Sequence, residues 1–176
     1  LDVAKEFDAV VLGPGLTVAH GAVLVARKLV SELAAPLVVD ADGLNALVDA
    51  SRTLTARSAP TVITPHPGEM SRISGGGVDE ILADPVAAAR AFAMEHRVIL
   101  LLKGSPTTIA SPDGQVIVSA TGNPGLATGG SGDVLSGLIG TFLAQRIAPL
   151  WAAACAAHLH GLAAEIVSGK KTERAM

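Results

Sequence analysis

Hydrophobic and polar residues follow two different patterns along this chain. Four segments are short, mainly apolar and rich in β-branched residues, which is typical of strands buried on both faces of a sheet. These segments are Phe7–Leu12, Leu37–Val39, Thr61–Ile63 and Val98–Leu102. Longer segments between them repeat apolar residues at helical spacing. The alternation predicts an α/β fold, with a doubly wound, mainly parallel sheet flanked by helices.

The helical segments differ in pattern. Apolar residues recur at helical spacing from Val18 to Leu33, and Asp79–His96 is a second candidate that Pro85 is expected to break or restart. Two more helices are predicted near the carboxyl end, the first with its apolar residues between Val134 and Leu143. The second carries Trp151, Cys155, Leu159, Leu162 and Ile166, of which the first two are predicted to be core residues.

A hairpin interrupts the strand–helix alternation. Thr107–Ala110 and Val116–Ser119 flank Pro112-Asp113-Gly114, which is a turn sequence, so these two segments are predicted to pair as antiparallel strands. The chain has 176 residues and shows no internal repeat, linker or low-complexity segment. We therefore expect one domain over residues 1–176.

Composition narrows the possible partners. The net charge is −3 and aromatic residues make up only 2%, which argues against nucleic acid as a partner. The single cysteine excludes an internal disulfide and a multi-cysteine zinc site. The apolar stretch Leu150–Val167 contains His158, His160 and Glu165 and is predicted to be a buried helix rather than a membrane span. We expect a soluble, cytoplasmic protein, with the two histidines facing different sides of that helix.

The glycine-rich segment Thr121–Asp133 carries the strongest chemical signal. It follows a predicted strand and leads into a helix, where free backbone N–H groups and the helix dipole favour a bound phosphate. Asp133 would be repelled by that phosphate. It either complements the helix dipole or acts as a base on a hydroxyl beside the phosphate, and we favour the base.

Four further segments follow predicted strands. Lys103-Gly104-Ser105-Pro106-Thr107 suits contacts to a nucleotide, although a plain turn with a solvated lysine fits equally well. In Thr64–Glu69, His66 could be a turn residue and Glu69 a first-turn helix acid. Gly13–Leu16 and Asp40–Asn45 could be a turn and an N-cap. All five segments are expected at one edge of the sheet, where open α/β sheets bind ligands.

These five segments, in this order, resemble those of the ADP/ATP-dependent NAD(P)H-hydrate dehydratases, a ribokinase-like family. The resemblance implies that Asp133 activates a hydroxyl and contacts the hydrated nicotinamide, and that Glu69 helps to organise Mg²⁺ indirectly. It implies nucleotide contacts from Lys103, Gly104, Ser105, Pro106, Thr107, Gly130, Ser131 and Gly132. It implies substrate contacts from Gly15, His66, Asn123 and Asp133.

The resemblance also implies a reaction. Members of this family use ADP, or ATP in eukaryotes, to phosphorylate hydrated NADH or NADPH, and phosphate then leaves to restore the dihydronicotinamide. We expect a homo-oligomer that works with an NAD(P)H-hydrate epimerase, an activity that many members of the family carry as a fused domain. Family members have about a third more chain at the amino end, so we expect this sequence to be a fragment, shortened slightly at the carboxyl end as well.

Two other functions compete with this one. A ribokinase-like kinase of a hydroxymethylpyrimidine or thiazole alcohol would also need the glycine run and Asp133. It fits His66-Pro67-Gly68-Glu69 less well, because those kinases generally have Asn in place of the histidine. A nucleotide-binding domain without catalysis is the third possibility, against which the presence of both Asp133 and Lys103 speaks weakly.

Overall fold

The computed structural model describes residues 3–170 as one six-stranded sheet with helices on both faces. The strands are Val10–Leu12 (β1), Leu37–Val39 (β2), Thr61–Ile63 (β3), Ile99–Leu102 (β4), Thr107–Ala110 (β5) and Val116–Ser119 (β6). The α-helices are His20–Glu32 (α1), Asp42–Asn45 (α2), Pro67–Ser74 (α3), Val78–Ala83 (α4), Pro85–His96 (α5), Ser131–Ala144 (α6) and Pro149–Ser168 (α7). Short 3₁₀ helices span Val3–Glu6, Ser51–Ala56 and Pro124–Leu126.

Strand order follows chain order from β1 to β6. Strands β1 to β4 are parallel, and β5 is antiparallel to both β4 and β6. It follows that β6 runs in the same direction as β4. The mainly parallel sheet and the hairpin are therefore both confirmed.

Alternate residues along the strands pack into two separate hydrophobic cores, one on each face of the sheet. On one face, Leu37, Val39 and Ile63 pack with buried residues of α1 to α5. On the other face, Val38 and Val62 pack with α6 and α7. All crossovers between parallel strands lie on the first face, and the two helices after the hairpin cover the second.

The predicted break at Pro85 is confirmed. Helix α4 ends at Ala83, and α5 begins at the proline, where its missing N–H costs no helical hydrogen bond. Asp84 caps α5, because its Oδ1 accepts a hydrogen bond of 2.9 Å from the Ala87 N–H. Strand β1 is shorter than predicted and leaves Phe7 57% exposed.

The orientation of α7 corrects the prediction that Trp151 and Cys155 are core residues. Trp151 is 58% exposed and Cys155 is exposed. The helix instead buries a face of small residues: Ala152, Ala153, Ala154, Ala156, Ala157, Gly161 and Ala164. Small side chains let the helix backbone approach the sheet closely, and this packing decides which face turns inward.

Helix α7 is also long and apolar enough to cross a membrane by length and composition alone. One such helix is weak evidence, since core helices can meet the same criterion. Here its small-residue face forms part of the second core.

Candidate active site

The five segments singled out in the sequence meet at the carboxyl edge of the sheet. β1 to β4 are parallel and β6 shares their direction, so the segment after each of these strands leaves at the same edge. Backbone hydrogen bonds extend the pairing beyond the strand ends, from Asp40 N–H to Leu12 C=O, from Thr64 N–H to Val39 C=O and from Lys103 N–H to Pro65 C=O. The side chains at this edge therefore stand on firmly held backbone.

A cavity of about 390 Å³ opens at this edge. It is formed mainly by the segment after β4, the turn after β6, the start of α6 and one side of α7. The residues lining it are His66, Lys103, Gly104, Ser105, Thr107, Thr121, Gly122, Asn123, Pro124, Leu126, Ala127, Ser131, Gly132, Leu135, Ala157, His160 and Gly161. The cavity thus brings together three of the five predicted segments, joined by an apolar wall.

A buried polar network lies against the cavity wall. Lys103 Nζ donates to Asp40 Oδ1 at 2.6 Å, and Ser136 Oγ donates to Asp40 Oδ2 at 2.6 Å. Thr64 Oγ1 lies 3.5 Å from Ser136 Oγ. Asp40 is 1% exposed, whereas the Lys103 side chain is 25% exposed and lines the cavity. The network joins the ends of β2, β3 and β4 to α6.

The glycine-rich segment ends where α6 begins. Gly130 precedes the helix with φ of 88°, a conformation that favours glycine. The N–H groups of Ser131 and Asp133 donate to the carbonyl oxygens of Thr128 and Gly130, and within residues 3–170 the Gly132 N–H has no acceptor. The first turn faces the cavity through Ser131 and Gly132. Asp133 lies in the same turn, is exposed and does not line the cavity. The arrangement can bind an anion beside an accessible carboxylate.

His66 and Glu69 cap the start of α3. His66 Nδ1 accepts hydrogen bonds from the N–H groups of Gly68 at 3.0 Å and Glu69 at 3.3 Å, while Glu69 Oε2 accepts from His66 N–H at 2.8 Å. His66 is exposed and lines the cavity, whereas Glu69 is 7% exposed. Both residues therefore have a helix-capping role, and only the histidine reaches the cavity.

The loop after β1 holds Gly15 outside the cavity lining. Gly15 and Thr17 have φ of 70° and 69°, and the Thr17 N–H donates to Asp42 Oδ2 at 3.0 Å. Asn45 Nδ2 donates to the other Asp42 oxygen, and Arg72 Nε donates to Asn45 Oδ1. These contacts connect the Gly15 loop to α3, the helix that His66 caps.

The far side of the cavity is formed by α7 and the turn after β6. Asn123 Oδ1 accepts from Gly125 N–H at 3.0 Å, and a Cβ at Gly161 would lie 2.5 Å from Thr121 Oγ1, so the helix fits closely against this turn. His160 Nε2 lies 3.4 Å from Ser131 Oγ. Burial lowers the pKa of the His160 imidazole and favours its neutral form.

Sequence reasoning missed several members of this site. Asp40 was only one residue of a strand-end segment, and Ser136 and Thr64 carried no predicted role. His160 was not predicted to belong to the site. The two histidines face different sides of α7 as predicted, since His158 is exposed and His160 lines the cavity. An acidic residue directly after a fully buried strand was the available signal for Asp40.

Within residues 3–170, no three His, Cys, Asp or Glu side chains are grouped as metal ligands. Magnesium commonly binds through one or two carboxylates together with substrate phosphates and water, and does not need a complete protein cage. Among the acidic side chains of the candidate site, that of Asp133 is exposed and that of Glu69 is 7% exposed. Glu69 Oε2 already accepts the His66 N–H, which leaves the other oxygen of Glu69 for an indirect contact.

The sheet, its two helical layers and the glycine-rich start of α6 are those of a ribokinase-like α/β domain. The chain belongs to the NAD(P)H-hydrate dehydratase family, whose sequence profile matches residues 1–176. The crystal structure of the ADP/ATP-dependent NAD(P)H-hydrate dehydratase from Bacillus subtilis, co-crystallised with ATP and Mg²⁺, is similar, with a TM-score of 0.86 and 33% identity. That match covers 99% of this chain and 63% of the Bacillus chain.

Two sequence relatives carry names from the same family. The bifunctional NAD(P)H-hydrate repair enzyme Nnr of Moorella thermoacetica is 45% identical over 176 residues, which is 100% of this chain and 33% of the relative. The ADP-dependent (S)-NAD(P)H-hydrate dehydratase of Neisseria meningitidis is 44% identical over 167 residues, which is 93% of this chain and 56% of the relative. The chain therefore spans about a third of the bifunctional relative and just over half of the shorter one.

Proposed function

We propose that this protein uses ADP to dehydrate the S form of hydrated NADH or NADPH, and so restores NAD(P)H with release of AMP and phosphate. The observation that carries the proposal is the cavity in which the segment after β4 faces the first turn of α6. Lys103, the Gly132 N–H and the positive end of the α6 dipole supply positive potential for phosphates on a protein of net charge −3. The names of the Moorella and Neisseria relatives support the substrate.

In this proposal, two ligands meet at the start of α6. The nucleotide contacts Lys103, Gly104, Ser105, Pro106 and Thr107 on one side, and Gly130, Ser131 and Gly132 on the other. The hydrated dinucleotide contacts Gly15, His66, Asn123 and Asp133. His66 and Asn123 line the same cavity as Lys103 and Gly132, and Asp133 lies in the first turn of α6. This proximity supports transfer of a phosphoryl group from one ligand to the other.

Asp133 is proposed as the general base. Its carboxylate accepts the proton of the ring hydroxyl, whose oxygen forms a bond to the β-phosphorus of ADP while the bridging P–O bond breaks and AMP leaves. The ring nitrogen lone pair then drives cleavage of the C–O bond, phosphate departs, and loss of a proton from the neighbouring carbon restores the dihydropyridine. Bound Mg²⁺ would neutralise phosphate charge during the transfer. Glu69 would act on it indirectly.

The test is product analysis with the full-length protein, Mg²⁺, ADP and hydrated NADH. We expect AMP, phosphate and recovered NADH absorbance in equal amounts, and a lower rate when ATP replaces ADP. A stable phosphorylated alcohol made from a hydroxymethylpyrimidine, with no NADH recovered, would support the kinase function instead. Binding of ADP without any product would support a non-catalytic domain.

The oligomeric state, the cellular location and the partner activity of the protein are also proposals. We infer that the protein acts in the cytoplasm as a homo-oligomer together with an NAD(P)H-hydrate epimerase activity. The word "bifunctional" in the name of the Moorella relative supports the second activity. Exposed apolar side chains on α7, among them Trp151 at 58% and Ile166 at 54%, support a face that a neighbouring subunit covers. Light scattering of the full-length protein tests the oligomer, and a monomer at micromolar concentration would contradict it.

A further inference from the structure

Asp40 is an unusual group to find under a phosphate-binding cavity. Its side chain is 1% exposed and accepts hydrogen bonds from Lys103 Nζ, Ser136 Oγ and the Ala41 N–H. Its negative charge opposes the binding of any anion nearby. A buried carboxylate also costs free energy unless it is paired. Its presence therefore needs a reason other than attraction of the nucleotide.

Stability alone is a weak reason. Buried ion pairs can often be replaced by apolar side chains of similar volume without loss of stability. The two members of this pair also differ in exposure, because the Asp40 side chain is enclosed while the Lys103 side chain is 25% exposed and lines the cavity. Within the described part of the chain, Asp40 is the only hydrogen-bond partner of Lys103 Nζ. Two donor positions of the ammonium are thus left for another acceptor.

The backbone around Asp40 is tightly constrained. A Cβ at Gly13 would lie 1.7 Å from the Asp40 carbonyl oxygen, so only glycine permits the approach of that loop. Ala41, directly after Asp40, has φ of 48° and ψ of −122°, a backbone conformation that residues other than glycine rarely adopt. Strained backbone of this kind persists where the surrounding structure fixes it, and it concentrates at functional sites.

The pair also contacts the helix that starts at the cavity. A Cβ at Gly132 would lie 3.2 Å from Lys103 Nζ and 3.6 Å from Asp40 Oδ2. The backbone of the first turn of α6 therefore lies directly against the ammonium and the carboxylate. The flexible side chain of a lysine has no fixed position of its own, and here a rigid carboxylate holds it beside the backbone of Gly132 at the helix start.

We propose that Asp40 is a positioning residue, which holds the Lys103 ammonium in register with the first turn of α6 so that both contact the same phosphate group. This inference rests on the proposed function, because it takes the phosphate to be that of the nucleotide. Asp40 weakens the attraction of the site for an anion, but it fixes the position of the Lys103 ammonium beside the first turn of α6. Its removal should therefore impair turnover more than it impairs nucleotide binding.

The experiment compares kcat and the KM for ADP in the wild type, Asp40→Asn, Lys103→Met and the double variant. Asparagine keeps the shape and can still hydrogen-bond Ser136. We expect Asp40→Asn to lower kcat by about tenfold to a hundredfold, the size of effect that a small misplacement causes, with the KM for ADP within about threefold. Lys103→Met should raise that KM by about tenfold or more. The double variant should match Lys103→Met within about twofold, because Asp40 acts through the lysine.

Thr61→Val is the matched control. It removes a buried hydrogen bond with Arg57 at the opposite end of β3 and should lower the Tm without changing kcat. Should Asp40→Asn fail to fold, Asp40→Ser, which leaves room for a water molecule, takes its place. Independent effects that multiply in the double variant, or kcat within twofold of wild type in Asp40→Asn, would overturn the proposal.

A crystal structure of Asp40→Asn with ADP separates this proposal from the proposed function. We expect Lys103 Nζ to have left the position beside Gly132. An ammonium that keeps its position without the carboxylate would refute the positioning role, whatever reaction the protein catalyses. Failure of the wild type to recover NADH from its hydrate would instead refute the proposed function and leave this structural result intact.

Discussion

The two edges of the sheet use partly buried cationic side chains in opposite ways. At the amino edge, Arg57 donates four hydrogen bonds: to the carbonyl oxygens of Val30, Leu33 and Ala35 and to Thr61 Oγ1, at 2.7 to 2.9 Å. Burial lowers the pKa of its guanidinium. At the carboxyl edge, Lys103 has one partner among the described residues and lines a cavity.

The difference separates Arg57, a structural cation, from Lys103, the cation that we propose to bind the nucleotide. Arg57 ties the end of α1 to the start of β3, and its donors are used within the protein. Lys103 retains donors for a ligand, and its carboxylate partner restrains it without exhausting them. Substitutions at the carboxyl edge should therefore change catalysis most, and those at the amino edge should change stability most.

The largest effect is expected at the carboxyl edge from Asp133→Asn. The variant should lose roughly 10²–10⁴ in turnover, because the proposed general base is removed. Its affinity for ADP should stay within a few-fold, because a carboxylate beside phosphates hinders binding. Initial rates and calorimetric ADP titration of the full-length protein measure the two quantities. Near-normal turnover would mean that Asp133 only complements the dipole of α6.

The largest effect at the amino edge is expected from Arg57→Leu. Four hydrogen bonds disappear and the carbonyl groups at the end of α1 lose their partner, which should lower the free energy of unfolding by about 3 kcal/mol. For a chain of this size, that corresponds to a fall of about 6–12 °C in Tm. Thermal unfolding measures the loss, and kcat at 25 °C should be unchanged. A fall in kcat of the folded variant would show that the two edges are coupled.

The fold could be predicted because strands buried on both faces leave an unambiguous apolar signal. The bounds of β2, β3, β5 and β6 are those that the sequence predicts. Helix α7 was misjudged, because hydrophobicity ranks Trp151 above alanine, whereas close packing on the sheet selects the small residues. Side-chain size therefore decided an orientation that apolar periodicity could not.

The site was predicted in outline and not in its connections. Strand ends and glycines mark the binding edge, since each is a local signal. Asp40 and Lys103 are 63 residues apart, and only the parallel order of β2, β3 and β4 brings them together. A pair of this kind is a consequence of topology, which no local sequence pattern records.

A smaller effect at the carboxyl edge is expected from Gly132→Ala. The added methyl group would lie 3.2 Å from Lys103 Nζ, so the ammonium must shift, and the KM for ADP should rise by about threefold to tenfold. Gly137→Ala in the same helix is the control, because a Cβ there meets nothing within 4 Å. The control should keep its KM and gain up to about 1 kcal/mol of stability. Equal KM values for both variants would show that Lys103 tolerates displacement.

The smallest effect concerns pH and the imidazole of His160. Burial lowers its pKa in the folded protein, so the unfolded chain, with a pKa of about 6.5, binds more protons as the pH falls. Its contribution to stability is therefore complete above about pH 6.5 and is lost as the pH falls through that value towards the folded pKa. His160→Gln can keep the contact with Ser131 and removes this loss. The Tm of this variant minus the Tm of the wild type should be about 1–2 °C higher at pH 5.5 than at pH 7.5. His158→Gln removes an exposed imidazole two residues away and should show the same dependence of Tm on pH as the wild type. An equal gain in both variants would show that the burial of His160 is not the cause.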